Sequence, residues 1–243
     1  MIKCVFSRYE HKYMLDLVKF NRILPQLEEY TVPDKYSRSG STYPINNIYY
    51  DTEDDYLIRR SLQKPKYKEK LRLRSYGVPS TGSLVFLELK KKYNGLVNKR
   101  RTAITLEKAE SFVRTGIIPE DDGIINRQVA GEIAYFLSMY KVYPKVVLSY
   151  DRIAYFSEDD SDLRISFDFN IRARRSNVSL EDGDYGEPIL NRRLCLMEIK
   201  TSQAIPLWLT QILTENELYS RSFSKYGTEY TNTVSAQMKE RYI

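Results

Sequence analysis

Lysine and arginine side chains recur at every second position in several segments of this sequence. The clearest run is KYKEKLRLRSY at residues 66–76. Its alternating cations are Lys66, Lys68, Lys70, Arg72 and Arg74. Because successive side chains of a β-strand point to opposite faces, such a strand has one cationic face and one apolar face. Arginine binds phosphate groups through paired hydrogen bonds and lysine binds them as a point charge, so the pattern predicts a phosphate-binding surface.

Six other segments share this alternation of ionic and apolar residues. The cations on the seven ionic faces are Arg8, Lys12, Lys70, Arg72, Arg74, Lys90, Lys92, Lys99, Arg101, Arg152, Arg164 and Lys200. Twelve cations against four acids leave a local excess of +8, whereas the whole chain carries +6. For a single strand, a solvated outer face is the simpler explanation. It becomes a weaker explanation when seven strands share the pattern. If the faces converge, close like charges repel by about 1 to 4 kcal/mol per pair, so the cavity needs a polyanion.

The four acids among these cations are Glu10, Glu88, Asp168 and Glu198. A carboxylate beside phosphate-binding cations is unfavourable unless it holds a divalent metal, a proton or a neighbouring cation. We therefore interpret Glu198, and with it Glu10 and Glu88, as candidate metal ligands. The alternative is that each pairs with a nearby lysine or arginine. For Glu198 the residue pattern alone favours neither.

Periodicity predicts the elements that carry these residues. Eight strands are expected near residues 3–13, 45–51, 66–76, 83–93, 95–105, 144–157, 162–173 and 193–201. Helices are expected near 14–29, 53–62, 106–114, 127–141, 206–219 and from about 232. Mostly consecutive strands predict an α+β fold with an antiparallel sheet. We expect a closed eight-stranded antiparallel β-barrel with a charged lumen and helices on its outside, in a single domain spanning residues 1–243.

Composition and charge exclude several classes of protein. The 243 residues are 42% hydrophobic and 13% aromatic, which excludes a disordered, collagen-like or coiled-coil chain. No apolar run is long enough to span a bilayer, so we expect a cytoplasmic protein with no membrane span. Cys4 and Cys195 form no CxxC pair and are expected to be buried thiols. The one histidine, His11, is expected to be structural, so the chemistry depends on lysine, arginine and carboxylates.

In order and spacing, nine motifs of the chain resemble the VTC domain, the polyphosphate polymerase module of the triphosphate tunnel metalloenzymes (the CYTH superfamily). They are RYEHKY at 8–13, KLRLRSY at 70–76, FLELKKK at 86–92, NKRR at 98–101, SYDRIAY at 149–155, LRISFD at 163–168, LMEIKT at 196–201, IPLWL at 205–209 and FSKYGT at 223–228. The wider superfamily has E-x-E-x-K in the first strand, whereas this chain has Arg8 at the first position, as the VTC branch does.

The resemblance implies transfer of the γ-phosphoryl group of ATP onto polyphosphate, with release of ADP. It also implies a divalent ion, Mn²⁺ or Mg²⁺, as the cofactor. Its phosphate-binding catalytic residues would be Lys12, Arg72, Arg74, Lys90, Lys99, Arg152, Arg164, Lys200 and Lys225. Further substrate contacts are expected from Arg8, Lys70, Arg101 and Ser224. Glu198 matches the metal-binding glutamate of the family. Every matched cationic position is still lysine or arginine, which favours an active polymerase over an accessory subunit.

Two other functions stay open at this point. A tripolyphosphate or nucleoside triphosphate hydrolase could use the same tunnel, although Arg8 and the FSKY motif oppose it. A non-catalytic module could bind polyphosphate or inositol phosphates. Nucleic acid is not expected as a partner, since acids lie within the basic faces. ATP and polyphosphate are the expected ligands, with a membrane or regulatory partner encoded separately as a further possibility.

Overall fold

The computed structural model describes residues 5–37, 40–120, 123–157 and 162–240, and the side chains of residues 9–237 within those ranges. Ten strands lie in this part of the chain: β1 (Val5–Asp16), β2 (Thr31–Pro33), β3 (Tyr43–Asp51), β4 (Tyr67–Tyr76), β5 (Leu84–Tyr93), β6 (Leu96–Thr105), β7 (Tyr143–Ser157), β8 (Arg164–Arg174), β9 (Glu187–Pro188) and β10 (Leu194–Thr201). The helices there are α1 (Leu17–Glu28), α2 (Tyr56–Leu62), α3 (Leu106–Thr115), α4 (Arg127–Met139), α5 (Leu207–Glu215) and α6 (Lys225–Glu240).

The strands form one curled antiparallel sheet in the order β2-β7-β3-β4-β5-β6-β1-β10-β8-β9. Strand β7 also pairs with β8, from Val147 opposite Arg174 to Phe156 opposite Arg164. The prediction of an antiparallel sheet with helices is confirmed. The prediction of a closed eight-stranded barrel is corrected to a curled sheet of ten strands, whose order ends in the short strands β2 and β9. Two or three residues are too few to produce a visible alternation in the sequence.

Side-chain caps set where two of the helices begin. Lys19 donates its backbone N–H to the carboxylate of Asp16 at 2.7 Å, so β1 runs to residue 16 and α1 starts later than predicted. The side chain of Asn126 accepts from the backbone N–H of Val129 at 3.0 Å and begins α4. The last helix, α6, begins at Lys225 rather than near residue 232.

Apolar side chains from the sheet pack against the helices in two large clusters. Helices α3 and α4 cover β4, β5 and β6, with Leu71, Leu87 and Phe112 fully buried between them. Helices α1 and α5 cover β8 and β10, where Phe167 and Met197 are fully buried. In the strands that these helices cover, the expected division into an apolar outer face and an ionic inner face is therefore confirmed. A third cluster, which includes Ile45, Tyr150 and Leu196, packs with Tyr226 of α6.

Within the described residues, every helix is too short or too polar to cross a bilayer. Cys195 is a buried free thiol, as predicted, and burial raises its pKa to about 12. Cys4 lies outside the described residues. His11 is half-buried in β1 opposite Ile199, on the strand face that alternates with Glu10 and Lys12.

Candidate functional site

The inner faces of β4, β5 and β6 meet at the carboxylate of Glu88. Its two oxygens accept hydrogen bonds from the side chains of Arg72 at 2.6 Å and Lys99 at 2.7 Å, and Arg74 lies 3.9 Å away. Antiparallel register explains the meeting, since β5 places Glu88 opposite Arg72 on one side and Arg101 on the other. Glu88 is fully buried, which by itself raises its pKa, but the three cations hold the pKa well below its ordinary value. Glu88 is a permanent anion that keeps these cations together.

Three polar residues of β3 and β7 fix the two arginines in place. Arg72 donates to the hydroxyl of Tyr49 at 3.2 Å. Arg74 donates to the side-chain oxygen of Asn47 at 2.9 Å and to the hydroxyl of Tyr150 at 3.1 Å. The sequence analysis did not identify these three partners. The only signal for them is that Asn47 and Tyr49 alternate along β3, because the pairing of strands decides which residues they meet.

A second cluster surrounds Glu198 on β10. Its carboxylate accepts from Lys200 at 2.5 Å and from Lys225 at 3.1 Å. Arg152 and Lys12 lie slightly farther away, at 3.6 and 3.7 Å. Burial raises the pKa of Glu198, but these four cations together lower it well below its ordinary value. Four predicted phosphate-binding residues from β1, β7, β10 and α6 therefore meet at one carboxylate.

Asp168 on β8 joins this cluster as a functional residue that the sequence analysis counted among the acids but gave no role. It accepts two hydrogen bonds from Arg152, at 2.6 and 2.8 Å, and lies 2.5 Å from the ammonium group of Lys225. Burial raises the pKa of Asp168, but Arg152 and Lys225 have the larger combined effect and bring the pKa below its ordinary value. Asp168 and Glu198 in turn raise the pKa of Lys225 despite its burial, so that lysine is firmly charged.

Glu10 links the first strand to β5. Its two oxygens lie 3.0 Å from Lys12 and 3.0 Å from Lys90. Lys12 also donates to the backbone oxygen of Phe223 at 2.8 Å, just before α6. Burial raises the pKa of Glu10, but Lys90 and Lys12 hold it well below its ordinary value.

The first turn of α6 supplies the remaining predicted residues at this end of the site. Lys70 donates to the hydroxyl oxygen of Ser224 at 3.2 Å, and the same oxygen accepts from the backbone N–H of Gly227 at 3.1 Å. Ser224 thus caps α6 while contacting β4. Tyr226 anchors the turn, since its hydroxyl donates to the buried carboxylate of Asp51 at 3.0 Å and its ring stacks on Tyr49.

Burial lowers the pKa of Lys99 well below its ordinary value, although Glu88 opposes the change. Lys70 and Lys200 show the same direction. Burial lowers the pKa of Lys70 to about 7, and the neighbouring Lys90, Lys68 and Lys12 add to the decrease. Burial likewise lowers the pKa of Lys200 to about 8, although Glu198 opposes the change. A bound polyanion would reverse these effects by supplying the missing negative charge.

Arg164 and Arg101 also contact residues outside the two carboxylate clusters. Arg164 approaches the carboxylate of Asp34 and the hydroxyl of Tyr43, both at 3.3 Å. The guanidinium carbon of Arg101 lies 4.8 Å from the ring centre of Phe86. Both arginines border the interior as predicted from their strand positions. The side chain of Arg8 lies outside the described residues, so its expected substrate contact stays a prediction.

The predicted metal ligands differ in how well they suit a divalent ion. Within the described residues, no three His, Cys, Asp or Glu side chains are grouped to hold one. Mg²⁺ in phosphoryl-transfer sites commonly takes one or two carboxylates and completes its shell with phosphate oxygens and water. Glu10 and Glu198 suit that arrangement, because both reach the same ammonium group, that of Lys12. Glu88 suits it less, because its side chain is fully buried, whereas those of Glu10 and Glu198 are 12% and 8% exposed. All three carboxylates are ion-paired in the chain without ligand.

Two solved structures share the fold of this chain. One is a candidate adenylate cyclase from Bacillus halodurans, with a TM-score of 0.57 and 14% identity, matched over 91% of this chain and 96% of that one. The other is a candidate adenylyl cyclase from Hippeastrum described as having a dominant triphosphatase activity, with a TM-score of 0.55, 15% identity, and coverage of 93% and 96%.

The chain belongs to the VTC domain family, whose model matches residues 7–234. It is also similar to subunit 4 of the vacuolar transporter chaperone complex of Trypanosoma brucei brucei (strain 927/4 GUTat10.1), with 24% identity over 270 residues. That match covers 92% of this chain and spans about a third of the length of the trypanosome protein, 34%. The family resemblance seen in the sequence motifs is confirmed.

Proposed function

We propose that this chain is a polyphosphate polymerase that transfers the γ-phosphoryl group of ATP onto a polyphosphate chain and releases ADP. The observation that carries the proposal is the charge arrangement of the interior. Among the described residues, eight cationic side chains share only four carboxylates. The cations are Lys12, Arg72, Arg74, Lys90, Lys99, Arg152, Lys200 and Lys225. Such an excess of positive charge suits a ligand with many phosphates.

The chain's own residues would catalyse the transfer by alignment and neutralisation. Phosphoryl transfer needs the acceptor oxygen, the γ-phosphorus and the leaving oxygen in line, with the developing charge stabilised on both sides. Arg72 and Arg74 are held by fixed partners and would bind phosphate oxygens in pairs. Lys200 and Lys225 would neutralise the charge from β10 and α6. A divalent ion at Glu198 and Glu10, when bound, would supply Lewis-acid neutralisation of phosphate oxygens.

We also propose that the interior is a tunnel through which the product leaves. Strand β7 pairs with β8 as well as with β3, so each of the eight long strands has hydrogen-bonded partners on both sides. A polymer that grows by one phosphate per cycle needs a path that keeps it bound between cycles. A continuous row of cations along such a path would provide it.

The relationship to a complex subunit supports one more proposal about partners. We propose that the chain acts in the cytoplasm and delivers polyphosphate to a membrane or regulatory partner encoded separately. Co-purification of the tagged chain with such a partner checks this point.

The proposed function is tested by incubating the purified chain with ATP and Mn²⁺ and resolving ADP, free phosphate and long polyphosphate. We expect the wild type to form long chains and to release one ADP for each phosphate incorporated. We expect no chains from Arg74→Ala or Lys200→Ala. The matched control is Arg100→Ala, because Arg100 lies on β6 beside Lys99 but pairs with Glu132 of α4 on the outer face. Free phosphate without chains would indicate a hydrolase, and tight triphosphate binding without turnover would indicate a binding module.

A further inference from the structure

Four aromatic rings form a patch where the inward-facing rows of three strands end. Tyr43, Tyr76 and Phe86 occupy the same alternating rows as Asn47, Arg74 and Glu88 on β3, β4 and β5. Tyr36, from the segment after β2, completes the group. Ring centres are 5.3 Å apart for Tyr36 and Tyr43, 6.0 Å for Tyr36 and Tyr76, and 5.8 Å for Tyr76 and Phe86. We call these four residues the aromatic patch.

Two rings of the aromatic patch, Tyr36 and Tyr76, lie outside the hydrophobic core, whereas Tyr43 packs against it. Tyr36 is 50% exposed and Tyr76 is 41% exposed, and their rings are nearly parallel, with an angle of 15° between them. In contrast, the edge-to-face pair of Phe20 and Phe167 is buried between α1 and β8. Packing alone would favour burial of rings of this size. Part of the aromatic surface is instead exposed, although the ammonium group of Lys35 lies over the ring of Tyr36, 4.6 Å from its centre.

Cations of the interior begin where the aromatic patch ends. The guanidinium carbon of Arg101 lies 4.8 Å from the ring centre of Phe86. A guanidinium nitrogen of Arg164 lies 3.3 Å from the hydroxyl of Tyr43. Arg74 is opposite Phe86 in the register of β4 and β5. The order from outside to inside is therefore exposed rings, then two bordering arginines, then the carboxylate-linked clusters.

We propose that the aromatic patch binds the nucleobase of ATP and of the departing ADP by stacking. This inference rests on the proposed function and adds a nucleotide subsite to it. ATP carries a planar base at one end and three phosphates at the other, which is the same order as rings, arginines and cation clusters. Inorganic polyphosphate has no aromatic part, so the patch would distinguish the phosphoryl donor from the acceptor.

Stacking also predicts the selectivity of this subsite. Every nucleobase has a π face, and stacking on aromatic side chains is tolerant of base identity. Of the polar groups at the patch, the hydroxyl of Tyr43 is already engaged with Asp34, at 2.8 Å. We therefore expect the subsite to prefer nucleotides over inorganic triphosphate but to distinguish ATP from GTP only weakly.

The test compares the binding of ATP and inorganic tripolyphosphate by calorimetry. We expect Tyr76→Leu to weaken ATP binding about tenfold and to leave tripolyphosphate binding unchanged. Tyr36→Leu is a second variant with the same expected direction, and both positions are half-exposed, so neither change removes a core residue. The matched control is Tyr135→Leu on α4, where the side chain is 68% exposed and distant from the sheet interior.

The outcomes separate this inference from the proposed function. Loss of ATP affinity alone supports the nucleobase subsite. Unchanged ATP affinity in both variants, or equal loss for ATP and tripolyphosphate, overturns it while leaving the phosphate site intact. If the wild type binds neither ligand, the proposed function fails, and this inference fails with it.

Discussion

Each carboxylate in the interior neutralises several cations, and none of them is free to act as an isolated acid. Glu88 and Glu198 each contact three or more lysines and arginines. Removing one partner of a buried ion pair costs about 3 to 5 kcal/mol, because the remaining charge is left unpaired. Loss of either carboxylate is therefore expected to destabilise the unliganded fold as well as the arrangement of the cations. Lys70 is the opposite case. Three lysines and one acid, Asp51, act on its charge, so its ammonium group is poorly neutralised.

Replacing Lys70 with methionine should stabilise the unliganded chain at pH 7 and weaken its binding to polyphosphate. Lys70 is surrounded by Lys68, Lys90 and Lys12, with Asp51 as the opposing acid. The folded chain releases the Lys70 proton at a pKa of about 7, whereas an unfolded chain keeps it to about pH 10. Between these values the unfolded state binds more protons, so the Lys70 contribution to stability rises with pH.

Thermal unfolding from pH 6.5 to pH 9 checks this prediction. We expect Lys70→Met to raise the melting temperature at pH 7 by about 2 to 4 °C and to reduce its rise with pH. The exposed residue Lys66, just before β4, supplies the control variant Lys66→Met, which should leave the pH dependence unchanged. An identical pH dependence in Lys70→Met and the wild type would contradict the role assigned to Lys70.

At the scale of elements, the strands could be predicted and the contacts between them could not. Alternation of apolar and charged residues identified the long strands and their ionic faces because it depends only on neighbouring positions. It could not show that Glu198 of β10 meets Lys225 of α6, because that contact depends on how the chain folds back over 27 positions. The start of α6 was missed for a local reason. Gly227 lies in its first turn and glycine disfavours helix, so only the Ser224 cap and tertiary contacts fix that turn.

The anchoring of α6 leads to a second prediction. Tyr226→Phe removes the hydroxyl that donates to Asp51 at 3.0 Å but keeps the ring stacked on Tyr49. We expect a loss of about 1 kcal/mol in the free energy of unfolding, because Asp51 loses one donor. We also expect a lower kcat, since Lys225 and Ser224 lie beside the loosened anchor.

Denaturant unfolding and steady-state kinetics on the same preparations separate the two effects. Tyr219→Phe is the matched control, because Tyr219 lies before α6 and is 73% exposed. A Tyr226→Phe enzyme with lower stability and unchanged kcat would show that the anchor is structural only.

At the scale of the whole molecule, the inner face of the sheet carries more positive than negative charge. Without a ligand, this excess opposes folding, and a bound polyanion relieves it. Inorganic tripolyphosphate should therefore raise the melting temperature at low ionic strength through preferential binding to the folded state. The increase should shrink as salt is added, since ions screen the exposed part of the interaction.

A melting curve at low and high salt, with and without tripolyphosphate, checks this expectation. Sulfate at equal ionic strength controls for general anion effects. No shift with tripolyphosphate at low salt would contradict an interior built for phosphate chains. Arg74→Ala should lose most of the shift, because it removes one of the fixed phosphate-binding arginines.

The most direct test of the central claim follows the γ-phosphorus of ATP. The purified chain is incubated with γ-labelled ATP and Mn²⁺, and the label is resolved by size. We predict that the label enters polyphosphate chains that lengthen with time, that ADP forms in equal amount, and that Arg74→Ala forms neither. Label found only in free phosphate, with no chain at any time, would contradict the assignment as a polymerase.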